Sequence, residues 1–129
     1  PLALALAWLG AGCGAAERPP DVVLAVVDTL RADHLSCYGY RRETSPALDR
    51  WAAGGTLYER AYAPASWTLP SMAMLMTGRL RSDNSGDIGP LEITLAERLA
   101  DAGFATQAVV SNPLLDAKQG YSRGFDGYQ

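Results

Sequence analysis

Side chains that build disulfide frameworks or soft-metal sites are scarce in this chain of 129 residues. Its two cysteines are Cys13 and Cys37, and His34 is its single histidine. The cysteines have no metal-binding spacing, and if Cys13 is modified or removed, Cys37 is left without a partner. A lone histidine in a turn is more often a hydrogen-bonded structural group than a catalyst. With Cys13 modified or removed, no internal disulfide framework is therefore available, and the cysteine spacing indicates no metal site.

Basic runs are also missing, although the chain carries eleven lysines and arginines. These residues are scattered along the chain, and the formal net charge is −3. The electrostatic footprint of a nucleic-acid-binding protein is therefore absent, and we expect no nucleic-acid partner.

The N-terminal apolar run, residues 2–9, is too short to span a bilayer and has the length of the apolar part of an export signal. Small residues before Cys13 resemble a bacterial lipobox, which would make Cys13 a lipidated residue and attach the protein to a membrane. Ordinary signal cleavage and a buried helix of a cytosolic protein are the alternatives. We expect residues 1–20 to be an export segment and linker, and the protein to reach the periplasm or the cell envelope.

Residues 21–129 have the alternation of strands and helices that is typical of one α/β unit. The apolar, β-branched run 22–27 predicts a strand buried on both faces of a parallel sheet. A second strand is predicted over 104–110. The alternation over 56–62 is weak but fits a short strand.

Two helices have clear boundary signals. Ser45-Pro46 begins a helix that Gly54-Gly55 ends. Thr94 and Glu97 form a capping box at the start of a helix that Gly103 ends. The apolar stripe of the first helix is Leu48, Trp51 and Ala52. A surface loop with solvated charges is predicted over 79–90, and an ordered loop over 112–129.

A short apolar helix is predicted from Pro70 to Thr77, because proline suits a first turn and Gly78 suits the position after a helix end. The helix has no polar face, so we expect it to be buried. Thr68 and Ser71 then lie at its N-terminal end, where free N–H groups and the helix dipole attract anions. The alternative is an ordinary helix start, since Ser and Thr are common N-caps.

Asp28 directly follows the predicted strand 22–27. In open α/β sheets the carboxyl ends of the strands face the ligand crevice, so a carboxylate at this position can hold a metal ion. The alternative is that Asp28 only caps the turn through Thr29 and Leu30.

The segment around the short helix resembles the sulfatase signature, in which Cys or Ser is followed by x-Pro-Ser-Arg and then by x-x-Leu-x-Thr-Gly-Arg. The matching residues are Thr68, Pro70, Ser71, Leu75, Thr77, Gly78 and Arg79. Two positions depart from the signature. Thr68 stands where the family has the Cys or Ser that becomes formylglycine, and Met72 stands where it has the supporting Arg.

Two further segments are similar to the same family. Residues 26–39 resemble the opening of many bacterial sulfatase-family proteins, with the family's Asp-Asp metal pair represented by Asp28 and Thr29. Residues 122–126 resemble the family's Arg-Gly-Phe-Asp turn. The resemblance covers nearly all of 22–129 and implies an alkaline-phosphatase-like fold, a three-layer α/β sandwich with a mostly parallel sheet, of which this chain is the N-terminal, incomplete part.

The resemblance also implies roles for individual residues. Thr68 and Arg79 would be catalytic, Ser71 would bind substrate, and Asp28 and Thr68 would bind a divalent metal. Ca²⁺ or Mg²⁺ fits the oxygen ligands of a sulfatase-like site, while Zn²⁺ or Mn²⁺ fits phosphoryl-transfer relatives. Family members take further metal ligands from segments beyond Gln129, so we expect the chain by itself to be inactive.

The expected function is a sulfatase-family hydrolase that acts on sulfate or phosphate esters of small molecules or glycans. Because formylglycine is made from Cys or Ser, Thr68 favours direct attack by a metal-activated alkoxide and a phosphate or phosphonate ester. The alternatives are a phosphoethanolamine or phosphoglycerol transferase and a degenerate, non-catalytic domain.

Overall fold

The computed structural model describes residues 19–83 and 85–129. The predicted export signal and Cys13 lie outside the described residues. Within the described part of the chain, no helix is long and apolar enough to cross a membrane.

The described elements are three α-helices, three short 3₁₀ turns and a two-stranded parallel sheet. Gln107 pairs with Gly127 and Ala108 with Tyr128 in that sheet. This small parallel sheet is consistent with the predicted α/β fold, although β2 lies in a segment that was predicted to be a loop. The helices are α1 (Pro46–Ala53), α2 (Thr68–Thr77) and α3 (Leu95–Asp101); the strands are β1 (Gln107–Ala108) and β2 (Gly127–Tyr128); the 3₁₀ turns are Ala32–His34, Ser36–Tyr38 and Ala117–Gln119.

Helix α2 begins two residues before its predicted start, so Thr68 is its first residue and Pro70 its third. It ends as predicted at Gly78, which has a φ of 68° and donates its N–H to the Met74 carbonyl oxygen. The prediction that α2 is buried on all sides is wrong at Leu75, which is 43% exposed.

The hydrophobic core lies on one side of α2. Its buried members are Ala73, Met76, Ile88 and Tyr121. A Cβ on Gly86 would lie 2.1 Å from the Leu69 Cβ, so the loop after α2 contacts the first turn of that helix directly. The core therefore holds the helix end that carries Thr68.

Helix α3 has the predicted capping box. The Thr94 hydroxyl oxygen accepts from the Glu97 N–H at 3.1 Å, and the Glu97 carboxylate accepts from the Thr94 N–H at 2.7 Å. Gly103 follows the helix with a φ of 87°, as its predicted role as helix stop requires. The Arg123 guanidinium binds the same Glu97 carboxylate and the Gly89 carbonyl oxygen. These bonds attach the predicted Arg-Gly-Phe-Asp turn to α3.

Two predictions about apolar segments are wrong. Residues 22–27 and 56–62 form no strand, and Val23 is 82% exposed. On the apolar stripe of α1, Leu48 and Trp51 are exposed, Trp51 by 70%. A strand is stable only when its backbone groups pair with a neighbouring strand, and no described residue supplies that pairing to 22–27.

Residues 79–83 and 85–90 have no helix or strand, as predicted for this loop, but its charges are not all solvated. The Arg81 side chain is 16% exposed and binds Asp83 at 2.9 Å, Glu92 at 3.1 Å and the Asp87 carbonyl oxygen at 2.7 Å. The segment 112–129, predicted to be an ordered loop, also contains a 3₁₀ turn and β2. The strand predicted over 104–110 shortens to the two residues of β1.

Candidate functional site

Asp28 and Thr68 meet at the N-terminal end of α2, although forty residues separate them in the chain. The Thr68 hydroxyl donates to the Asp28 carboxylate, with Oγ1 3.0 Å from Oδ2 and 3.3 Å from Oδ1. The chain thus brings the predicted nucleophile into contact with the predicted metal-binding carboxylate.

Asn112 is a third member of this group that was not predicted. Its Nδ2 donates to the Asp28 Oδ2 at 2.8 Å. The signal that could have found it is positional. Asn112 follows the predicted strand 104–110 as Asp28 follows the apolar run 22–27, and residues at the ends of parallel strands lie at one edge of a sheet.

The backbone beside Asp28 is strained. Thr29 has a φ of 55°, in the left-handed region that a β-branched residue rarely adopts. Its hydroxyl donates to the Asp28 carbonyl oxygen at 2.8 Å. Backbone strain of this kind is concentrated at functional sites, where surrounding structure maintains it.

Ser71 and Arg79 lie in different places. Ser71 lines the same cleft as Asp28 and Thr68, a cavity of about 720 Å³ that also includes Trp67. Arg79 follows Gly78 at the opposite end of α2, and a helix of ten residues is about 15 Å long. Arg79 is exposed there, so the structure does not bring it together with Thr68.

Tyr121 fixes the position of the first turn of α2. Its hydroxyl lies 2.9 Å from the carbonyl oxygen of Leu69, the residue after Thr68, and 2.8 Å from that of Gly86. Burial, together with the nearby negative charge of Asp87, raises the pKa of Tyr121 to about 12. The group is therefore a neutral donor that ties the site helix to the loop beneath it.

His34 and the described carboxylates do not form a preassembled metal cluster. Residues 19–83 and 85–129 contain no group of three or more His, Cys, Asp or Glu side chains that could hold a metal ion. The His34 ring stacks on Tyr40 with centroids 4.9 Å apart, which agrees with its predicted structural role. Asp28 and Thr68 bring oxygen atoms of two side chains within 3.0 Å of each other.

Comparison with known proteins decides the family. The family profile named Sulfatase matches residues 20–129. The chain belongs to the sulfatase family. This membership confirms the resemblance carried by the α2 signature, and the family has an alkaline-phosphatase-like α/β fold.

Three relatives show how far the similarity to the sulfatase family extends. Human arylsulfatase A is 40% identical over 117 residues, which cover 82% of this chain and 23% of the relative. Mouse steryl-sulfatase is 33% identical over 115 residues, covering 77% of this chain and 18% of the relative. N-acetylgalactosamine-6-O-sulfatase of Bacteroides thetaiotaomicron is 33% identical over 107 residues, covering 74% of this chain and 21% of the relative.

The chain therefore spans about a fifth to a quarter of the length of these sulfatases. No solved structure gives a significant match to it.

Proposed function

We propose that the complete protein hydrolyses sulfate or phosphate esters with Thr68 as the nucleophile. The observation that supports this most directly is the hydrogen bond from the Thr68 hydroxyl to the Asp28 carboxylate, 3.0 Å long, at the N-terminal end of α2. A nucleophile at this position faces an open cleft, and the helix dipole there favours an anionic ester.

Sulfatases generally bind a divalent metal ion, typically Ca²⁺. The donor chemistry of this site fits such an ion, because Asp28 and Thr68 both offer oxygen atoms, the ligands that Ca²⁺ and Mg²⁺ prefer. We propose that these two residues hold part of its coordination shell. When bound, the ion lowers the pKa of the attacking hydroxyl and neutralises negative charge on the ester.

The proposed reaction has two displacement steps. Thr68 loses its hydroxyl proton to solvent, and its oxygen attacks the sulfur or phosphorus atom. The bond from that atom to the ester oxygen breaks, and the departing oxygen takes a proton from water. Ser71, in the same cleft, donates to a non-bridging oxygen of the ester. Water then attacks the covalent Thr68 ester, releasing sulfate or phosphate and restoring the threonine hydroxyl.

The names of the relatives favour a sulfate ester as the first candidate substrate, since they are an arylsulfatase, a steryl-sulfatase and an N-acetylgalactosamine-6-O-sulfatase. Small aromatic or steroid sulfates and glycan sulfates are all within that range. The second candidate is a phosphate or phosphonate ester. Thr68 and Met72 favour it, because a threonine cannot become formylglycine and the arginine of the family signature is missing.

The position of Arg79 limits its proposed part in this reaction. Because it lies about one helix length from Thr68, we assign it no contact with the reacting atoms. Its proposed role is to attract an anionic substrate from the far end of α2.

Turnover of paired substrates tests the proposal. We expect the complete protein to hydrolyse p-nitrophenyl sulfate or p-nitrophenyl phosphate, and Thr68→Ala to lower kcat/KM by about 10³-fold or more, about 4 kcal/mol of transition-state stabilisation. Thr68→Ser should keep part of the activity. Thr56→Ala removes an exposed threonine outside the cleft and is the matched control. Full activity of Thr68→Ala would refute the proposal, and the ratio of the two substrates decides between the two candidates.

We expect the 129-residue chain by itself to hydrolyse neither ester, because two oxygen ligands bind and orient a divalent ion poorly. Absence of turnover by the complete protein as well would favour the degenerate, non-catalytic alternative.

We also propose that the protein is exported and attached to a membrane through Cys13. Fractionation of cells that express the complete protein tests this. Cys13→Ser should release the protein from the membrane fraction, while an unprocessed cytosolic product would contradict export.

A further inference from the structure

Asn112 holds one specific oxygen of the Asp28 carboxylate. Its Nδ2 lies 2.8 Å from Oδ2, the oxygen that also accepts the shorter of the two contacts from Thr68. Oδ1 receives, from the described residues, only the longer contact of 3.3 Å from Thr68. The two oxygens of Asp28 are therefore unequal, because Oδ2 has two close donors while Oδ1 keeps lone pairs for another ligand.

The amide of Asn112 is itself fixed in direction. Its Oδ1 accepts from the Leu114 N–H at 2.9 Å, and its carbonyl oxygen accepts from the Leu115 N–H at 3.1 Å. Side-chain acceptance two residues along the chain is the geometry of an Asx-turn. With the amide oxygen engaged in this turn, the NH₂ group is directed at Asp28.

A neutral donor suits a carboxylate that must also bind a cation. A lysine or arginine in the place of Asn112 would position Asp28 equally well, but its charge would oppose a divalent ion nearby. An amide donates a hydrogen bond without cancelling the negative charge. Partners of metal ligands that act in this way typically change metal affinity or activity by about 10- to 100-fold when they are removed.

We propose that Asn112 is a positioning residue for Asp28. It holds Oδ2 so that Thr68 stays within hydrogen-bond distance while Oδ1 is left for the divalent ion. This inference rests on the proposed function, since it assigns Asn112 a role toward the same nucleophile and metal site.

Metal affinity of the complete protein provides a readout that does not depend on turnover. Tb³⁺ replaces Ca²⁺ in oxygen sites, and Trp67 lines the same cleft and can sensitise its luminescence. We expect Asn112→Ala to raise the Kd for Tb³⁺ by about tenfold or more. Thr56→Ala should leave it unchanged. An unchanged Kd in Asn112→Ala would overturn the proposal.

Asn112→Asp replaces the NH₂ group that donates to Asp28 but keeps the oxygen atom that forms the Asx-turn. The aspartate can still accept the Leu114 N–H, but in its ionised form it cannot donate to Asp28. We expect this variant to lose at least tenfold in kcat at saturating Ca²⁺, measured at a pH where both carboxylates are ionised. Parent-like kcat in Asn112→Asp, with a loss in Asn112→Ala, would show that only the turn matters and would refute the donor role.

The same assays distinguish failure of this inference from failure of the proposed function. If Thr68→Ala and Asp28→Asn abolish turnover while the Asn112 variants behave like the parent, only the inference about Asn112 is wrong. If Thr68→Ala retains full turnover, the proposed nucleophile is wrong, whatever Asn112 does.

Discussion

Replacing Tyr121 by phenylalanine isolates the hydrogen bond that fixes the first turn of α2. The ring is kept, so the core packing stays, and only the hydroxyl that reaches the Leu69 and Gly86 carbonyl oxygens is lost. Tyr121 is 3% exposed, so water cannot readily replace this donor. Loss of a donor to a buried carbonyl costs about 1–3 kcal/mol, and we expect Tyr121→Phe to lose about 2 kcal/mol of unfolding free energy at pH 8.

The pH dependence gives this prediction a second signature. The pKa of Tyr121 is raised in the folded protein from 10 to about 12, chiefly because burial disfavours the phenolate. A raised folded-state pKa contributes stability that is fully present below the unfolded-state value and is lost as pH rises through the folded-state value. The stability of the parent protein should therefore fall between about pH 10 and pH 12 more steeply than that of Tyr121→Phe.

Urea unfolding of both proteins, followed by tryptophan fluorescence at several pH values from neutral to strongly alkaline, measures both effects. The two unfolding free energies should differ at pH 8 and approach each other toward pH 12. A constant difference over the whole range would refute the assignment of the pKa shift. Equal stability at pH 8 would refute the proposed hydrogen-bond contribution of the hydroxyl.

Three further predictions concern packing around α3 and the strain beside the site. Gly124→Ala should lower the free energy of unfolding in urea by roughly 2–4 kcal/mol, because the added Cβ would lie 2.2 Å from the Glu97 nitrogen and the residue has a φ of 82°. Gly54→Ala is the control: its Cβ would make an ordinary 3.7 Å contact, so it should change the free energy of unfolding by less than about 0.5 kcal/mol. Arg123→Lys should lower the melting temperature, since one ammonium cannot replace the forked contacts to Glu97 and two carbonyl oxygens; an unchanged melting temperature would contradict that role. Thr29→Asn should raise unfolding free energy by about 1 kcal/mol, because asparagine tolerates positive φ better, and any loss of stability would count against strain at this position.

Features specified by short-range chemistry could be predicted from the sequence. The capping box of Thr94 and Glu97 sets the start of α3, and Gly78 supplies the left-handed conformation that ends α2. Each signal involves residues within one or two helical turns. Thr68 could be proposed as a site residue because it begins α2 and matches the sulfatase signature. Asp28 was proposed from the same family resemblance and from its position after the run 22–27, although that run forms no strand.

Features that depend on distant partners could not be predicted in the same way. The run 22–27 has the composition of a buried strand, but a strand needs a neighbour, and composition does not supply one. Arg81 belongs to a polar loop, yet carboxylates up to eleven residues away surround it. Asn112 was missed because its importance comes from a contact with Asp28, eighty-four residues earlier in the chain.

Trapping of the covalent intermediate would show directly whether Thr68 itself is the nucleophile. The complete protein is mixed with an aryl sulfate or aryl phosphate, quenched in acid during turnover, and digested for mass spectrometry. We expect the peptide containing Thr68 to gain the mass of one sulfuryl or phosphoryl group, and Thr68→Ala to gain none. A modification on another residue, or turnover by Thr68→Ala with no adduct at this position, would show that Thr68 is not the nucleophile.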